Sequence, residues 1–256
     1  MLYHLTQETL PIAIDLGLQL DKYGEEARVD LERFTLAGPD AKNLRYAERR
    51  AVREGASFEL IKAENLRPII GELSAISDAW LKDKNHSEKA FSVGRFDLDY
   101  LFRFDCAVVR HEGRIVAFAN VWKSGDGKEL SVDLMRHVRE MPYGAMDFLF
   151  VRLMQWGQDH GYGWFSLGIA PLSGIEARRL APIWARASAL LYKHGDSFYG
   201  FEGLRAYKDK FSPNWEPRYI AGPQGVGLAR ALINLQTLIG GGRASAARPA
   251  GLAIAA

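Results

Sequence analysis

The middle of the chain places the strongest constraint on the fold. Alternating apolar residues predict an antiparallel meander of three strands, over Cys106–His111, Ile115–Trp122 and Glu129–Leu134. A helix over Tyr143–His160 follows, because its large apolar residues recur at the spacing of a helix that packs on a sheet. A buried strand over Trp164–Ile169 comes next. This alternation predicts a mixed α/β domain.

The first third of the chain shows weaker patterns. Apolar spacing and turn residues predict a helix over Thr6–Leu20, a strand over Val29–Phe34, a helix over Asp40–Glu54, a strand over Phe58–Lys62 and a helix over Pro68–Lys82. These elements amount to half a domain.

The last third predicts a packed helix around Leu180–Leu191, a short helix over Phe201–Phe211 and a strand over Arg218–Ala221. An amphipathic segment, Leu228–Ile239, precedes a Gly- and Ala-rich tail that we expect to be disordered. The order meander, helix, strand, helix, strand is that of an N-acetyltransferase-like α/β domain.

Composition excludes several classes of protein. Lys and Arg number 33 against 31 Asp and Glu, so a nucleic-acid partner must be sought in local charge clusters. Cys106 is the only cysteine, and the histidines lack metal-ligand spacing, so we expect neither a disulfide nor a metal site. No apolar run reaches the ~20 residues that span a bilayer, and no signal peptide is visible. The expected chain is soluble and faces the cytoplasm.

Ordered motifs in the chain resemble a known family. They are Gly24–Val29 (GEEARV), the Arg-rich stretch Leu44–Glu59, Phe91–Asp97 (FSVGRFD), Ser131–Arg136 (SVDLMR), Gly144–Phe150 (GAMDFLF), Leu167–Ser173 (LGIAPLS) and Phe201–Tyr219 (FEGLRAYKDKFSPNWEPRY). Together they look like the C-terminal synthase domain of the phosphatidylglycerol lysyltransferases, also called multiple peptide resistance factors. The resemblance extends to about Pro223.

The resemblance implies two tandem acetyltransferase-like lobes with central mixed sheets. Such enzymes transfer a lysyl or alanyl group from its tRNA to phosphatidylglycerol on the inner membrane leaflet, without a cofactor, and so lower the negative charge of the membrane. Family members carry an upstream flippase domain and early strands that we do not find, so the first lobe is expected to be truncated. We expect a partial lobe over residues 1–84, the catalytic lobe over 85–223, and the helix and tail over 224–256.

Two residues of the third meander strand are the leading catalytic candidates. Asp133 lies on the polar face of this strand, and Arg136 follows three residues later near the strand's end. The functional interpretation gives Asp133 the substrate ammonium or the hydroxyl proton, and Arg136 the lipid phosphate. The alternative is an ordinary surface ion pair.

A second set of candidates lies near residue 210. Arg205 and Lys208 share one side of the short helix, whereas Lys208 and Lys210 lie ~200° apart at ~100° per residue, so only one of these lysines faces a site. We favour Lys208, with Lys210 as the alternate. The remaining substrate-binding candidates are Arg205, Arg218, Glu202 and Asp147. The alternative for Arg205 is surface pairing with Glu202 and Asp209.

A basic stripe on the helix over Asp40–Glu54 is a candidate tRNA-binding surface. Its residues, within ~80° of arc, are Lys42, Arg45, Arg49 and Arg53. Phosphate contacts of this kind make binding strongly dependent on salt. The alternative is a solvated helix face, since glutamates lie nearby.

Three other functions compete with lipid aminoacylation. One is an aminoacyl-tRNA-dependent transferase for a peptide or cell-wall precursor, and another is an inactive remnant that only binds tRNA or a membrane. An acetyl-CoA enzyme ranks last, because the loop from Arg136 to Ala145 is too long and contains Pro142, which spoils a pyrophosphate cradle. All catalytic interpretations require the candidates near residues 135 and 210 to meet in one crevice.

Overall fold

The computed structural model describes residues 1–84, 94–175 and 201–223. Its nine described strands are β1 Leu2–Leu5, β2 Gln19–Asp30, β3 Ser57–Ile61, β4 Asp105–His111, β5 Arg114–Lys123, β6 Glu129–Ser131, β7 Met135–His137, β8 Trp164–Pro171 and β9 Asn214–Gly222. Its described α-helices are α1 Leu10–Asp15, α2 Lys42–Arg53, α3 Ile70–Lys84, α4 Leu98–Leu101, α5 Ala145–Asp159 and α6 Phe201–Asp209. Short 3-10 helices cover Gln7–Thr9, Ala63–Asn65 and Arg67–Ile69.

All nine described strands belong to one mixed sheet. Their order is β1-β9-β2-β8-β6-β5-β4-β3, and β7 also pairs with β5. The pair β6 and β8 is parallel, whereas the other described pairs are antiparallel. A mixed α/β fold with a large mixed sheet is therefore confirmed.

Strand β2 lies between β8 and β9, which come from the other end of the chain. Strand β1 pairs with β9, while β3 pairs with β4 at the opposite edge of the sheet. Strands from the first 84 residues thus share the sheet with later strands. The division into lobes at residue 84 stays a prediction.

Helices cover both faces of the sheet. On one face, α5 buries Phe148 and Leu153 against Phe165 of β8, and α2 adds Leu44. On the other, α3 buries Leu73 in a cluster that includes β5 and the residues just after β6. Burial at this scale stabilises the fold by roughly 25 cal/mol for each Å² of apolar surface removed from water. The packed helices hold the middle strands rigidly.

The expected N-terminal elements are partly wrong. The helix expected over Thr6–Leu20 is α1, only six residues long, because Gly17 adopts a φ of +68° and the chain then enters β2. The strand expected over Val29–Phe34 ends at Asp30. At Gln19 and Leu20, pairing of β2 with a neighbouring strand outweighed the local helical spacing.

Helix α5 and strand β8 start and end within two residues of the predicted bounds. The third meander strand, expected over Glu129–Leu134, ends at Ser131, so Asp133 lies between β6 and β7 and not on the polar face of a strand. Three short elements were not predicted, namely β1, α4 and β7. The expected helix around Leu180–Leu191, the amphipathic segment Leu228–Ile239 and the whole of 224–256 lie outside the described residues. None of the described helices is both long and apolar enough to cross a bilayer.

Candidate active site

The parallel strands β6 and β8 part from each other, and this opens a gap in the sheet. They pair only over Glu129–Ser131, with Ser131 opposite Ser166. Beyond this point the chain from β6 turns into β7, which pairs with β5, while β8 continues along β2. Asp133 therefore follows on one side of the gap, and the backbone of Gly168 follows on the other.

The Asp133 carboxylate is held by its neighbours. Tyr100 donates its hydroxyl proton to Oδ2 of Asp133, and the backbone N–H of Leu134 donates to Oδ1 at 2.7 Å. Trp122 Nε1 lies 3.2 Å from the Tyr100 hydroxyl oxygen and donates to it. Burial, and then the Asp133 carboxylate, raises the pKa of Tyr100 to about 12. Tyr100 thus stays protonated and orients Asp133.

A close packing contact also fixes Asp133. A Cβ atom added to Gly94 would lie 2.7 Å from Oδ2 of Asp133. This position therefore has no room for a side chain unless the carboxylate moves.

Arg136 lies on β7, beyond Asp133. Its side chain is buried, and its guanidinium Cζ lies 4.3 Å from the ring centroid of Trp80. Nη1 donates to the backbone oxygen of Met135 at 2.9 Å. Arg136 thus lies against an aromatic ring of α3, at a distance typical of a cation–π interaction.

Lys208 lies on α6 and reaches the β8 side of the gap. Its Nζ donates to the backbone oxygens of Gly168 at 2.9 Å and Ile169 at 2.8 Å. The side chain is 5% exposed, and burial lowers the pKa of Lys208 to about 8, against the opposing attraction of Glu26. This lysine can exchange a proton near neutral pH.

A network of ionic side chains lies behind Lys208 on β2, β6, β8 and β9. Its members, which we call the Glu26 network, are Glu26, Arg28, Glu129, Ser166, Glu216 and Arg218. Arg218 Nε donates to Glu26 at 2.7 Å, and Ser166 donates to the same carboxylate. Arg28 and Arg218 both bind Glu216, at 2.8 and 2.9 Å.

Part of this network lines a cavity of about 660 Å³, together with His4. Burial would raise the pKa of Glu216, but the hydrogen bonds from Arg28 and Arg218 outweigh it and hold this pKa below its usual value. Burial lowers the pKa of His4. Glu216 thus stays ionised between the two arginines.

Arg205 takes part in a different cluster from Lys208. It binds Glu25 at 2.5 Å and also Ser173, and its Cζ lies 4.1 Å from the ring centroid of Trp215. Burial would raise the pKa of Glu25, but hydrogen bonds from Lys22 and Arg205 hold it below its usual value. Asp209 accepts a hydrogen bond from Trp215. Arg205 therefore joins α6 to β2.

Lys210 and Lys208 point to different surroundings, as their angular separation on a helix predicts. Lys210 pairs with Asp147 of α5 at 3.0 Å, and its side chain is 38% exposed. The side chain of Glu202 lies outside the described part of the chain.

The basic stripe lies on the outer face of α2. Lys42, Arg49 and Arg53 are exposed. Arg45 is half-buried and donates to the backbone oxygens of Leu36 and Gly38, the latter at 2.7 Å. Arg45 thus fastens the loop before α2, whereas the other three cations point to solvent.

The structure brings some candidates together and keeps others apart. Lys208 and Arg218 meet around Glu26, and Lys210 meets Asp147. Asp133 and Lys208 flank one gap but bind different residues. Sequence reasoning missed Tyr100 and Glu26. Glu26 could have been noticed in the sequence, because its carboxylate stands next to the apolar Ala27 within the motif Gly24–Val29.

Comparison with known proteins shows the family to which this chain belongs. The family model described as "Phosphatidylglycerol lysyltransferase, C-terminal" matches residues 1–222. A phosphatidylglycerol lysyltransferase of Bacillus subtilis is 37% identical over 242 residues, which are 94% of this chain and 28% of the relative. The chain thus spans less than a third of the length of that relative.

Two solved structures are similar in both sequence and fold. One is the C-terminal domain of a putative lysylphosphatidylglycerol synthetase from Agrobacterium fabrum, with 42% identity, a TM-score of 0.82, and coverage of 94% of this chain and 72% of that one. The other, L-PGS from Bacillus licheniformis, has 37% identity, a TM-score of 0.78, and coverage of 93% and 72%. The resemblance seen in the sequence motifs is confirmed, and the chain belongs to the family of phosphatidylglycerol lysyltransferase C-terminal domains.

Proposed function

We propose that this chain is the transferase part of an enzyme that moves a lysyl or alanyl group from aminoacyl-tRNA to a glycerol hydroxyl of phosphatidylglycerol. The observation that carries the proposal is the family match over residues 1–222, which includes both sides of the gap between β6 and β8. Because the acceptor is a membrane lipid and the donor is a tRNA, the proposed reaction takes place at the cytoplasmic face of the membrane. Its product lowers the negative charge of that membrane. An upstream flippase domain is the proposed partner.

The proposed reaction is a direct transfer. The lipid hydroxyl oxygen attacks the carbonyl carbon of the aminoacyl ester and forms the new ester bond. The bond from that carbon to the tRNA ribose oxygen breaks, and the ribose oxygen takes up the proton that the lipid hydroxyl gave away. Atoms and charges balance without a cofactor, so the protein must supply a base, an oxyanion donor and phosphate contacts.

Asp133 is the proposed base, acting directly or through a water molecule. The bonds from Tyr100 and from the backbone of Leu134 fix its carboxylate, which supports a role that depends on position. Arg136, held against Trp80, is the proposed contact for the lipid phosphate. Both lie on the side of the gap that continues from β6.

Lys208 is the proposed donor to the developing oxyanion on the opposite side of the gap. Lys208 Nζ lies between two backbone oxygens and near Glu26, and its pKa is lowered. These features support its role as a strong hydrogen-bond donor that is not held in a permanent ion pair. Arg218 adds positive charge behind it. The proposal also includes substrate binding by Arg205, Lys210, Glu202 and Asp147. It assigns tRNA binding to the basic stripe on α2.

A reconstituted transfer assay tests this proposal. The folded chain is incubated with radiolabelled lysyl-tRNA or alanyl-tRNA and phosphatidylglycerol vesicles, and the extracted lipid is counted. We expect labelled lipid from the unchanged chain, and at least 100-fold less from Asp133→Asn and from Arg136→Ala. Asp159→Asn, the same chemical change at an exposed position at the end of α5, is the matched control.

Normal lipid product from both variants would contradict the proposed mechanism. In a parallel reaction that contains a cell-wall peptide precursor, label in the peptide and not in the lipid would favour the cell-wall alternative. Folded protein that binds RNA but labels no acceptor would favour the binding remnant.

A further inference from the structure

Two exposed tyrosines form an aromatic pair beside the basic stripe. Tyr46 of α2 is 53% exposed, and Tyr143, just before α5, is 59% exposed. Their ring centroids lie 6.3 Å apart at an angle of 66°. Exposed apolar patches that are rimmed by polar side chains mark binding sites on protein surfaces.

Tyr46 lies at the edge of the basic stripe. At ~100° per residue, it is within ~60° of Lys42, Arg49 and Arg53 around the axis of α2. These three cations are exposed. Glu54 binds Arg50 at 2.7 Å and Glu48 lies 3.7 Å from Arg152, and among the described residues no ion pair involves Lys42, Arg49 or Arg53. The surface around Tyr46 therefore carries uncompensated positive charge.

Tyr143 is held firmly in place. The Cζ of Arg50 lies 4.7 Å from its ring centroid, and Arg50 is fixed in turn by Glu54. Hydrogen bonds from Arg50 and from the backbone of Tyr143 hold the pKa of Glu54 below its usual value. A Cβ on the following Gly144, whose φ is +75°, would lie 2.8 Å from the Cβ of Ala47. The loop thus packs closely on α2.

A rigid aromatic face beside free cations is the combination that binds single-stranded nucleic acid. Bases stack on the rings whatever their identity, while lysine and arginine contact the phosphates. A paired RNA stem offers phosphates but no exposed base faces, so the tyrosines would contribute nothing to binding a blunt duplex.

The location of the pair connects it to the gap. Tyr143 ends the loop 138–143, and β7, which carries Arg136, precedes that loop. A strand of RNA bound on the tyrosines would therefore lie at one end of a short loop whose other end borders the proposed active site.

We propose that Tyr46 and Tyr143 form a stacking platform for the unpaired bases at the 3′ end of the aminoacylated RNA, while Lys42, Arg49 and Arg53 contact the phosphates of the adjoining stem. The platform rests on the proposed function, because it assigns one part of the proposed donor to one surface. It also makes a separate claim, that binding depends on unpaired bases.

Binding of uncharged RNA tests the platform apart from the transfer reaction. The probes are a fluorescent stem-loop RNA with four unpaired 3′ nucleotides and the same stem with a blunt end, measured by fluorescence anisotropy over a range of salt concentrations. We expect the unchanged chain to bind the first probe about tenfold or more tightly than the second. Y46A/Y143A should remove this preference without changing the affinity for the blunt stem or the salt slope.

Two matched variants separate stacking from other contacts. Y46F/Y143F keeps the rings and should keep the preference, whereas Y46L/Y143L keeps apolar bulk without an aromatic face and should lose it. An unaltered preference in Y46A/Y143A, or a full preference in Y46L/Y143L, would overturn the platform.

The unchanged chain itself distinguishes the two proposals. Equal binding of both probes would overturn the platform and leave the tRNA donor standing. Binding of neither probe would overturn the platform and the proposed tRNA donor together.

Discussion

The Glu26 network and the basic stripe of α2 contain the same residue type in opposite surroundings. In the network, the side chains of Arg28 and Arg218 are 21% and 6% exposed, and each binds two carboxylates. On α2, Arg49 and Arg53 are exposed to solvent. Arginines on neighbouring strands that face carboxylates build the fold, whereas arginines on the outer face of a helix are available to a ligand. The predictions below test this contrast.

The largest expected effect is on folding, from Glu26→Ala. The change leaves Arg218 buried without one of its carboxylates and removes the acceptor of Ser166. Because removing one partner of a buried ion pair is strongly destabilising, we expect the free energy of unfolding to fall by about 3–5 kcal/mol. Urea denaturation at neutral pH measures it.

The double variant E26L/R218M is the matched control for Glu26→Ala. It replaces both partners of the pair with apolar side chains, which often restores most of the stability. Two results would contradict the contrast between the Glu26 network and the basic stripe. One is a loss of less than about 1 kcal/mol of unfolding free energy in Glu26→Ala, and the other is a double variant as unstable as the single one.

The second prediction concerns the pH dependence of stability at Lys208. Burial lowers the pKa of Lys208 from 10.5 to about 8, so between these pH values the folded chain binds fewer protons than the unfolded chain. Stability contributed at this site therefore rises with pH through that window, by about 3 kcal/mol in total. The measurement is the difference in unfolding free energy between the unchanged chain and Lys208→Met from pH 7.5 to 10.5. A difference that does not change with pH would contradict the lowered pKa.

The third prediction concerns RNA binding by the basic stripe on α2. Arg49→Gln with Arg53→Gln should weaken binding of a stem-loop RNA about tenfold. The slope of log affinity against log salt concentration should become shallower by about 1.5, because binding releases fewer counterions when two phosphate contacts are missing. The unfolding free energy should change by less than about 0.5 kcal/mol, since both side chains are exposed.

A matched pair of changes on another surface provides the control for the stripe. Arg114→Gln, at the start of β5, with Lys128→Gln, just before β6, removes the same charge from exposed positions. If this pair weakened RNA binding as much as the α2 pair, overall charge and not the stripe would be responsible.

The smallest effect is expected from Lys210→Ala. Lys210 and Asp147 form a pair with side chains 38% and 14% exposed, intermediate between the two regions. Such pairs contribute about 0.2–1 kcal/mol, and salt screens them. Thermal unfolding at low and high salt measures the loss, which should shrink at high salt. A loss above about 2 kcal/mol would place this pair with the buried network.

A sequence pattern predicted an element well where it repeats over many helical turns, and poorly where it repeats over few. Helix α5 has a long apolar stripe, and its bounds matched within two residues. The N-terminal helix was wrong because the spacing of Leu10, Ile14 and Leu18 also fits a short helix followed by a strand. Only the pairing of β2 with β8 and β9 decided between them.

The candidate site shows the same division. Motif spacing singled out Asp133, Arg136 and Lys208, but it gave no hint that Tyr100 would donate to Asp133 from 33 positions away. Glu26 and Arg218, separated by 192 positions, came together only through strand pairing. Contacts between distant segments leave no local periodicity to read.

Four features could be read from the amino-acid sequence: the mixed α/β class, helix α5, the strand that follows it and membership of the family. They depend on local periodicity and on ordered motifs. The tertiary structure alone decided which charges are buried and paired, and which remain in solvent. The physical reason is that an arginine or lysine is compensated by whatever the packed strands place beside it. That choice belongs to the sheet order and not to the neighbouring residues in the chain.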